Sequence, residues 1–131
     1  MNLDLVVIDD DAVVLFLHKV LIKKSKFPSN VLDFLHAQEA LEFLSHHPSS
    51  KQLLILLDIN MPQCNGWEFL KQVAHLPQAD KIYVVMVTSS INESDRKRAA
   101  EFPQVIGFRE KPLSKQDCED IYIKLLPLII S

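Results

Sequence analysis

Short apolar segments alternate with amphipathic segments along this chain. Five of the apolar segments are rich in valine, leucine and isoleucine and have the length expected of strands buried in a sheet. The predicted strands are residues 5–8, 31–34, 53–57, 82–87 and 105–108. The third and fourth of them contain no charged residue, which is typical of the central strands of a parallel sheet.

Between the strands, apolar residues recur at the three- and four-residue spacing of amphipathic helices. The first helix is predicted over residues 11–26, and Val13, Leu17, Val20 and Leu21 are assigned to its buried face. Three further helices are predicted over residues 37–44, 69–76 and 92–101.

A last helix is predicted to begin near Ser114, which forms a capping-box pattern with Asp117. Its apolar positions at Ile121 and Leu125 then face a core. Pro127 is expected to interrupt this helix, because proline lacks the backbone N–H that the helix requires.

Strand and helix thus alternate five times, which predicts an α/β fold with a doubly wound parallel sheet. Helices would cover both faces of the sheet, and right-handed crossovers would connect its strands. The length of 131 residues suits one domain over residues 1–131.

The composition indicates an ordinary globular protein, with 48% hydrophobic and 24% charged residues. A net charge of -3 argues against nonspecific binding of nucleic acid, which needs basic surface. No basic leader or long apolar run is present, so we expect a cytoplasmic protein with no membrane segment. Cys64 and Cys118 fit no metal-binding spacing and are interpreted as free thiols in a reducing compartment.

Polar residues follow the strands at the edge where ligands bind in open parallel sheets. Asp9 and Asp10 follow the first strand, Asp58 the third and Thr88 the fourth, and Lys111 lies shortly after the fifth. The chain has only two glycines, so a glycine-rich phosphate loop is excluded. Any phosphate chemistry must therefore use side chains and a metal.

These residue types make chemical sense together. The carboxylates of Asp9, Asp10 and Asp58 repel one another and suit a hard cation such as Mg²⁺, with a backbone carbonyl from the Asp58 loop as a further ligand. Asp58 is the best nucleophile for a phosphoryl group, because it ends the most central strand. Thr88 would donate a hydrogen bond to a phosphoryl oxygen, and Lys111 would supply a positive charge.

Simpler interpretations apply to several single residues. A lone aspartate after a strand is usually a turn or cap residue, and Asp11 is interpreted as a helix cap. His46 and His47 are assigned to the end of a helix rather than to a metal or phosphotransfer site. Trp67 is expected to pack beside the loop, and the basic residues 96–98 to form a solvated helix face.

The motifs, taken in order, resemble those of response-regulator receiver domains. They are Val7-Ile8-Asp9-Asp10, the pattern DxxMPxxxG from Asp58 to Gly66, Val87-Thr88-Ser89 and Glu110-Lys111-Pro112. The resemblance covers essentially the whole chain. It implies a flavodoxin-like, five-stranded parallel sheet with strand order 2-1-3-4-5 and a role in two-component phosphorelay signalling.

The resemblance also implies a role for each residue of the acidic site. Asp58 would accept a phosphoryl group from a histidine kinase or a histidine phosphotransfer protein. Asp10, Asp58 and the backbone carbonyl of Asn60 would bind Mg²⁺ directly, and Asp9 would act partly through water.

Further implied roles concern the switch and the lifetime of the phosphorylated state. Thr88 would move toward the phosphoryl group, and Lys111 would pair with it. Phe108 matches the aromatic residue that rotates inward on activation in this family. Asn60 and Ser90 occupy the positions that influence dephosphorylation.

The resemblance implies a signalling module rather than an enzyme, one that catalyses only its own phosphorylation and dephosphorylation. Its partners would be the phosphodonor and a downstream protein target, without direct contact to nucleic acid, and it would be a monomer or a weak dimer. Two alternatives remain open. One is an aspartyl-phosphate phosphatase, for which Asn60 stands where an acid/base aspartate is usual. The other is a receiver-like module that binds partners without phosphate.

Overall fold

The computed structural model describes residues 3–27, 30–48, 51–89 and 91–129. Five strands form one all-parallel sheet in the order β2-β1-β3-β4-β5, as the sequence predicted. The strands are β1 Leu3–Ile8, β2 Val31–Phe34, β3 Gln52–Asp58, β4 Ile82–Thr88 and β5 Val105–Glu110. The helices are α1 Ala12–Lys23, α2 Ala37–Ser45, α3 Gly66–Ala74, α4 Glu93–Ala99 and α5 Lys115–Ile129.

Helices cover both faces of the sheet because successive side chains along each strand point to opposite sides. In β3, Leu54 and Leu56 pack with α1 and α5. The alternate residues Leu53, Ile55 and Leu57 pack with α2, α3 and α4. All five of these leucine and isoleucine side chains are buried, which explains why β3 reads as a continuous apolar run.

The ends of the helices follow the sequence closely. Asp11 caps α1, and its carboxylate accepts the backbone N–H of Val13 at 2.9 Å. Ser114 and Asp117 form the predicted capping box ahead of α5, each side chain accepting the other's backbone N–H. The cap predictions are therefore confirmed.

The predicted buried face of α1 is wrong for Val13, Leu17 and Val20, whereas the fourth predicted residue, Leu21, is half-buried and packs against the core. Val13, Leu17 and Val20 are 67%, 48% and 36% exposed, and the residues that face the sheet and α5 are Leu15, His18 and Ile22. Apolar residues occur on both sides of this helix, so their spacing gave the helix but not its orientation. The outer side of α1 is consequently an apolar surface.

The predicted interruption at Pro127 is also wrong, since α5 continues through it to Ile129. A proline removes one hydrogen bond, here to the carbonyl one turn earlier at Ile123. Ile123 and Pro127 both lie on the exposed side of the helix, where water can satisfy that carbonyl.

His47, which follows the end of α2, also belongs to a cluster of polar side chains around Asp4. Its Nε2 lies 2.9 Å from Asp4 Oδ2, and Lys51 Nζ lies 3.0 Å from the other oxygen of the same carboxylate. The His47 side chain is only 2% exposed. This cluster joins the amino-terminal ends of β1 and β3, opposite the edge that carries the acidic residues.

Both cysteines are free thiols, as predicted. Within the part of the chain that the structure describes, no helix is both long and apolar enough to cross a membrane.

Candidate phosphoryl-transfer site

The predicted site residues meet at the carboxyl edge of the sheet. Asp9 follows β1, Asp58 ends β3, Thr88 ends β4 and Lys111 follows β5 directly. The register places Asp58 beside Val87 of β4, so Thr88 is one residue further along the neighbouring strand. Asp9 and Asp58 are each 2% exposed and Thr88 is 1% exposed.

Three carboxylates form the acidic part of the site. Asp9, Asp10 and Asp58 each offer one oxygen, and these oxygens all lie within 4.8 Å of one another. Asp58 Oδ2 is buried without a hydrogen-bond partner among the described residues. Burial, together with the negative charge of Asp9, raises the pKa of Asp58 to about 6, and the nearby Lys111 opposes this rise.

Lys111 bridges the two buried carboxylates. Its Nζ lies 3.0 Å from Asp9 Oδ2 and 3.3 Å from Asp58 Oδ1. Burial lowers the pKa of Lys111, but the hydrogen bond to Asp9 and the charges of both carboxylates outweigh this effect and raise the pKa overall. The ammonium group therefore stays charged in the site.

The geometry fits a divalent cation. Three carboxylates carry more negative charge than one ammonium group neutralises, and no described residue donates a hydrogen bond to the buried Asp58 Oδ2. Asp10 is exposed and leaves the cluster open to solvent. Mg²⁺ prefers oxygen ligands, takes only a few carboxylates from the protein and keeps several of its waters. A partly open cluster of aspartates suits that preference.

The loop after β3 is shaped by its contacts with α3. The Gly66 N–H donates to the Ile59 carbonyl at 2.8 Å, and Asn65 caps α3 through the Glu68 N–H. Ile59 and Met61 are buried, whereas Asn60 between them is exposed. The Asn60 carbonyl as a metal ligand stays a prediction.

The remaining predicted residues lie on β4 and β5. The Thr88 carbonyl accepts the Lys111 N–H at 2.7 Å, which ties the two residues together through the backbone. Phe108 is half-buried, and the Arg96 guanidinium lies 5.7 Å from the centroid of its ring. Ser90 lies outside the described residues.

Two arginines of the predicted solvated face contact aromatic rings. Arg96 covers Phe108, and the Arg98 guanidinium lies 4.7 Å from the Trp67 centroid. Trp67 is buried and also stacks on Phe102, so it is a core side chain, while its packing beside the loop stays a prediction. The charges of α4 are solvent-exposed, and two of its arginines lie over aromatic rings, that of Phe108 on β5 and that of Trp67 on α3.

Sequence reasoning missed His18. This buried side chain accepts the Leu113 N–H through Nε2 at 3.0 Å. The signal was present, because Leu15, His18 and Ile22 share one face at helical spacing. The apolar residues on the opposite face of α1 concealed it.

Comparison with known proteins agrees with this geometry. The family model described as response regulator receiver domain matches residues 5–122. The crystal structure of a response regulator receiver protein from Dyadobacter fermentans has a TM-score of 0.82 and 30% sequence identity, covering 94% of this chain and 98% of that one. The phosphorylated cyanobacterial phytochrome response regulator RcpA has a TM-score of 0.75 and 25% identity, covering 98% and 95%.

Among curated proteins, a probable cyclic di-GMP phosphodiesterase from Vibrio cholerae is 36% identical over 75 residues. That match covers 57% of this chain but only 16% of the relative. The chain therefore spans a small part of that protein, whose activity is not carried over to it.

Proposed function

The chain belongs to the response regulator receiver family, and from this premise we propose that it is a phosphoacceptor in a two-component phosphorelay. Asp58 takes a phosphoryl group from a histidine kinase or a histidine phosphotransfer protein in the cytoplasm, with Mg²⁺ at Asp9, Asp10 and Asp58. The observation that carries the proposal is Asp58 Oδ2, which has no hydrogen-bond partner among the described residues and is buried beside two carboxylates and one ammonium group. The likeness to a phosphorylated response regulator supports it.

The chemistry is an in-line displacement at phosphorus. One carboxylate oxygen of Asp58 supplies an electron pair and forms the new P–O bond, while the P–N bond to the donor histidine breaks and its electron pair returns to the imidazole. Bound Mg²⁺ would neutralise charge on the phosphoryl oxygens. Lys111 Nζ, 3.3 Å from Asp58 Oδ1, would pair with one phosphoryl oxygen, and the Thr88 hydroxyl would donate to another.

The output is a change of shape around β4 and β5. Movement of Thr88 toward the phosphoryl group would open space at the end of β4, into which the Phe108 ring can turn. Arg96 would then lose its contact with that ring, which alters the exposed surface of α4. Phosphorylation thereby shifts a two-state equilibrium that a downstream protein reads.

The two rival functions explain the site less well. A phosphatase needs an acid/base group near the nucleophile, and an asparagine at position 60 cannot transfer a proton in that way. A module that works without phosphate gains nothing from the buried Asp58 Oδ2, which has no partner within the described part of the chain, because such a group lowers stability. Both features favour the phosphoacceptor.

The proposed function is tested by the intact mass of the protein after incubation with acetyl phosphate. We expect the wild type to gain one phosphoryl group with Mg²⁺ and none with EDTA, and Asp58→Asn to gain none. An equal gain in the Asp58→Asn variant would show that a residue other than Asp58 accepts the phosphoryl group. No gain in the wild type, together with absent Mg²⁺ binding, would favour the phosphate-independent module.

The outer face of α1 is the surface we assign to the phosphodonor protein. Val13, Phe16, Leu17 and Val20 lie at helical spacing and are between 36% and 67% exposed. Four neighbouring apolar side chains in solvent mark an interaction surface, and they suit the apolar stripe of a partner helix. Because α1 starts directly after the acidic residues of β1, a helix lying along it reaches the edge that carries Asp58.

This assignment predicts that Phe16→Ser separates two kinds of phosphodonor. Phosphotransfer from a purified histidine phosphotransfer protein should slow by about tenfold, because a central apolar contact is lost. The rate with acetyl phosphate, which needs no docking, should stay unchanged. Ile123→Ser, at a position 68% exposed on α5, is the matched control and should alter neither rate.

A further inference from the structure

The turn that carries Lys111 is held on its two sides by hydrogen bonds from backbone N–H groups, one to a carbonyl and one to a side chain. On one side, the Lys111 N–H donates to the Thr88 carbonyl at 2.7 Å, which closes the ladder between β4 and β5. Pro112 has no N–H, so the next backbone donor is Leu113. Its N–H donates to His18 Nε2 at 3.0 Å. The connection therefore runs from α1 to the residue two positions beyond Lys111.

The hydrogen bond fixes the chemical state of His18. A ring nitrogen that accepts from an amide must carry its lone pair, so Nε2 is unprotonated and the ring is neutral. Burial lowers the pKa of His18; the negative charge of Asp9 opposes this effect and the positive charge of Lys111 adds to it. His18 is only 2% exposed, so this acceptor is buried.

We propose that His18 is a positioning residue for phosphoryl binding: by holding the Leu113 N–H it fixes the turn that places the Lys111 ammonium between Asp9 and Asp58. The inference rests on the proposed function, because the phosphoryl group is what Lys111 is positioned to meet. His18 itself touches neither Asp58 nor the incoming group in the contacts described. Its effect passes through Leu113 and Pro112 to Lys111.

Without this hydrogen bond, two opposite effects are expected in the site. The Leu113 N–H loses a buried acceptor and the turn relaxes, so Lys111 is no longer held where a phosphoryl oxygen must sit. At the same time, a looser Lys111 competes less well with a cation for the carboxylates of Asp9 and Asp58. Phosphoryl affinity should fall, while Mg²⁺ affinity should stay equal or rise.

The test compares His18→Gln with His18→Met. Glutamine places an amide oxygen near the position of Nε2, whereas methionine has a similar length and offers no comparable acceptor. We would measure Mg²⁺ affinity first, and then affinity for beryllofluoride at saturating Mg²⁺, as a mimic of the phosphoryl group. Urea unfolding of each variant would report its stability.

We expect His18→Met to weaken beryllofluoride binding by about tenfold, the equivalent of one buried hydrogen bond. Its Mg²⁺ affinity should be at least that of the wild type, and His18→Gln should restore most of the beryllofluoride affinity. Wild-type beryllofluoride affinity in His18→Met would overturn the positioning role. Equal losses of both affinities and of stability in both variants would also overturn it, leaving His18 as a core residue only.

The outcome for the wild type separates this inference from the proposed function. A wild type that binds Mg²⁺ and beryllofluoride, beside an unaffected His18→Met, would refute the role of His18 and leave the phosphoacceptor intact. A wild type that binds no beryllofluoride would refute both.

Discussion

Replacing Asp58 by asparagine is expected to stabilise the metal-free protein at pH 8 by about 3 kcal/mol. Burial, together with the charge of Asp9, raises the pKa of Asp58 to about 6 from the ordinary value of 3.8. The folded state thus binds more protons than the unfolded state between these two values, and stability falls as the pH rises through that window. Asparagine is always neutral, so the variant does not lose stability as the pH rises through that window.

The stability advantage of Asp58→Asn over the wild type should increase with pH. The advantage of Asp58→Asn should be complete above pH 7 and about half as large at pH 5, where the wild-type carboxyl is mostly protonated in the folded state. Saturating Mg²⁺ should reduce or reverse the advantage at pH 8, because a cation that binds only the folded wild type stabilises it.

The measurement is urea unfolding at pH 5 and pH 8, each in EDTA and in Mg²⁺. Asp33→Asn is the matched control, because Asp33 pairs with Lys19 at 3.4 Å but its side chain is 40% exposed. An exposed pair contributes little, so this variant should change stability by less than about 1 kcal/mol and show no gain at pH 8. An Asp58→Asn variant less stable than the wild type in EDTA at pH 8 would contradict the prediction.

Gly66→Ala is expected to lower the free energy of unfolding by about 1–3 kcal/mol and to impair phosphorylation of Asp58. A Cβ at Gly66 would lie 2.8 Å from the Asp58 carbonyl oxygen and 3.0 Å from the Ile59 Cα. Both neighbours are backbone atoms, and Asp58 is held in β3 by pairing with β4. The added methyl group must therefore displace the loop that follows the phosphoacceptor.

Gly107→Ala is a matched control within the same chain. A Cβ there would lie 3.6 Å and 3.8 Å from two side-chain methyl carbons of Val85, which is ordinary contact. The backbone of Gly107 is not in the left-handed region, so alanine should be neutral or stabilise by about 0.5 kcal/mol through the unfolded state. Urea unfolding and the acetyl phosphate reaction would be followed for both variants. Equal behaviour of the two would contradict the close approach at Gly66.

Much of the fold could be predicted because each signal is local. Apolar runs of strand length predicted all five strands; β1, β3 and β5 are each two residues longer than predicted, and β4 is one residue longer. The cap at Asp11 and the capping box at Ser114 also depend on neighbours in sequence. Local hydrogen bonds need no knowledge of the rest of the chain, so these predictions were confirmed.

The meeting of the acidic residues with Lys111 was also predictable from sequence, for a topological reason. Parallel strands bring their carboxyl ends to one edge, so residues that follow different strands must be neighbours there. The contacts of Lys111 with Asp9 and Asp58 have that origin. The chemical roles of these residues stay proposals, which the phosphorylation and beryllofluoride experiments address.

The sequence by itself therefore determined the elements, their alternation and the edge at which polar side chains collect. Only the tertiary structure decided which side of α1 faces inward. Both sides of this helix carry apolar residues, so the spacing of those residues does not show which side is buried. The tertiary structure also decided that His18 meets the Leu113 N–H and that His47 meets Asp4. Those partners are far apart in the chain, and a buried polar group is assigned its role only when folding brings its partner within hydrogen-bond distance.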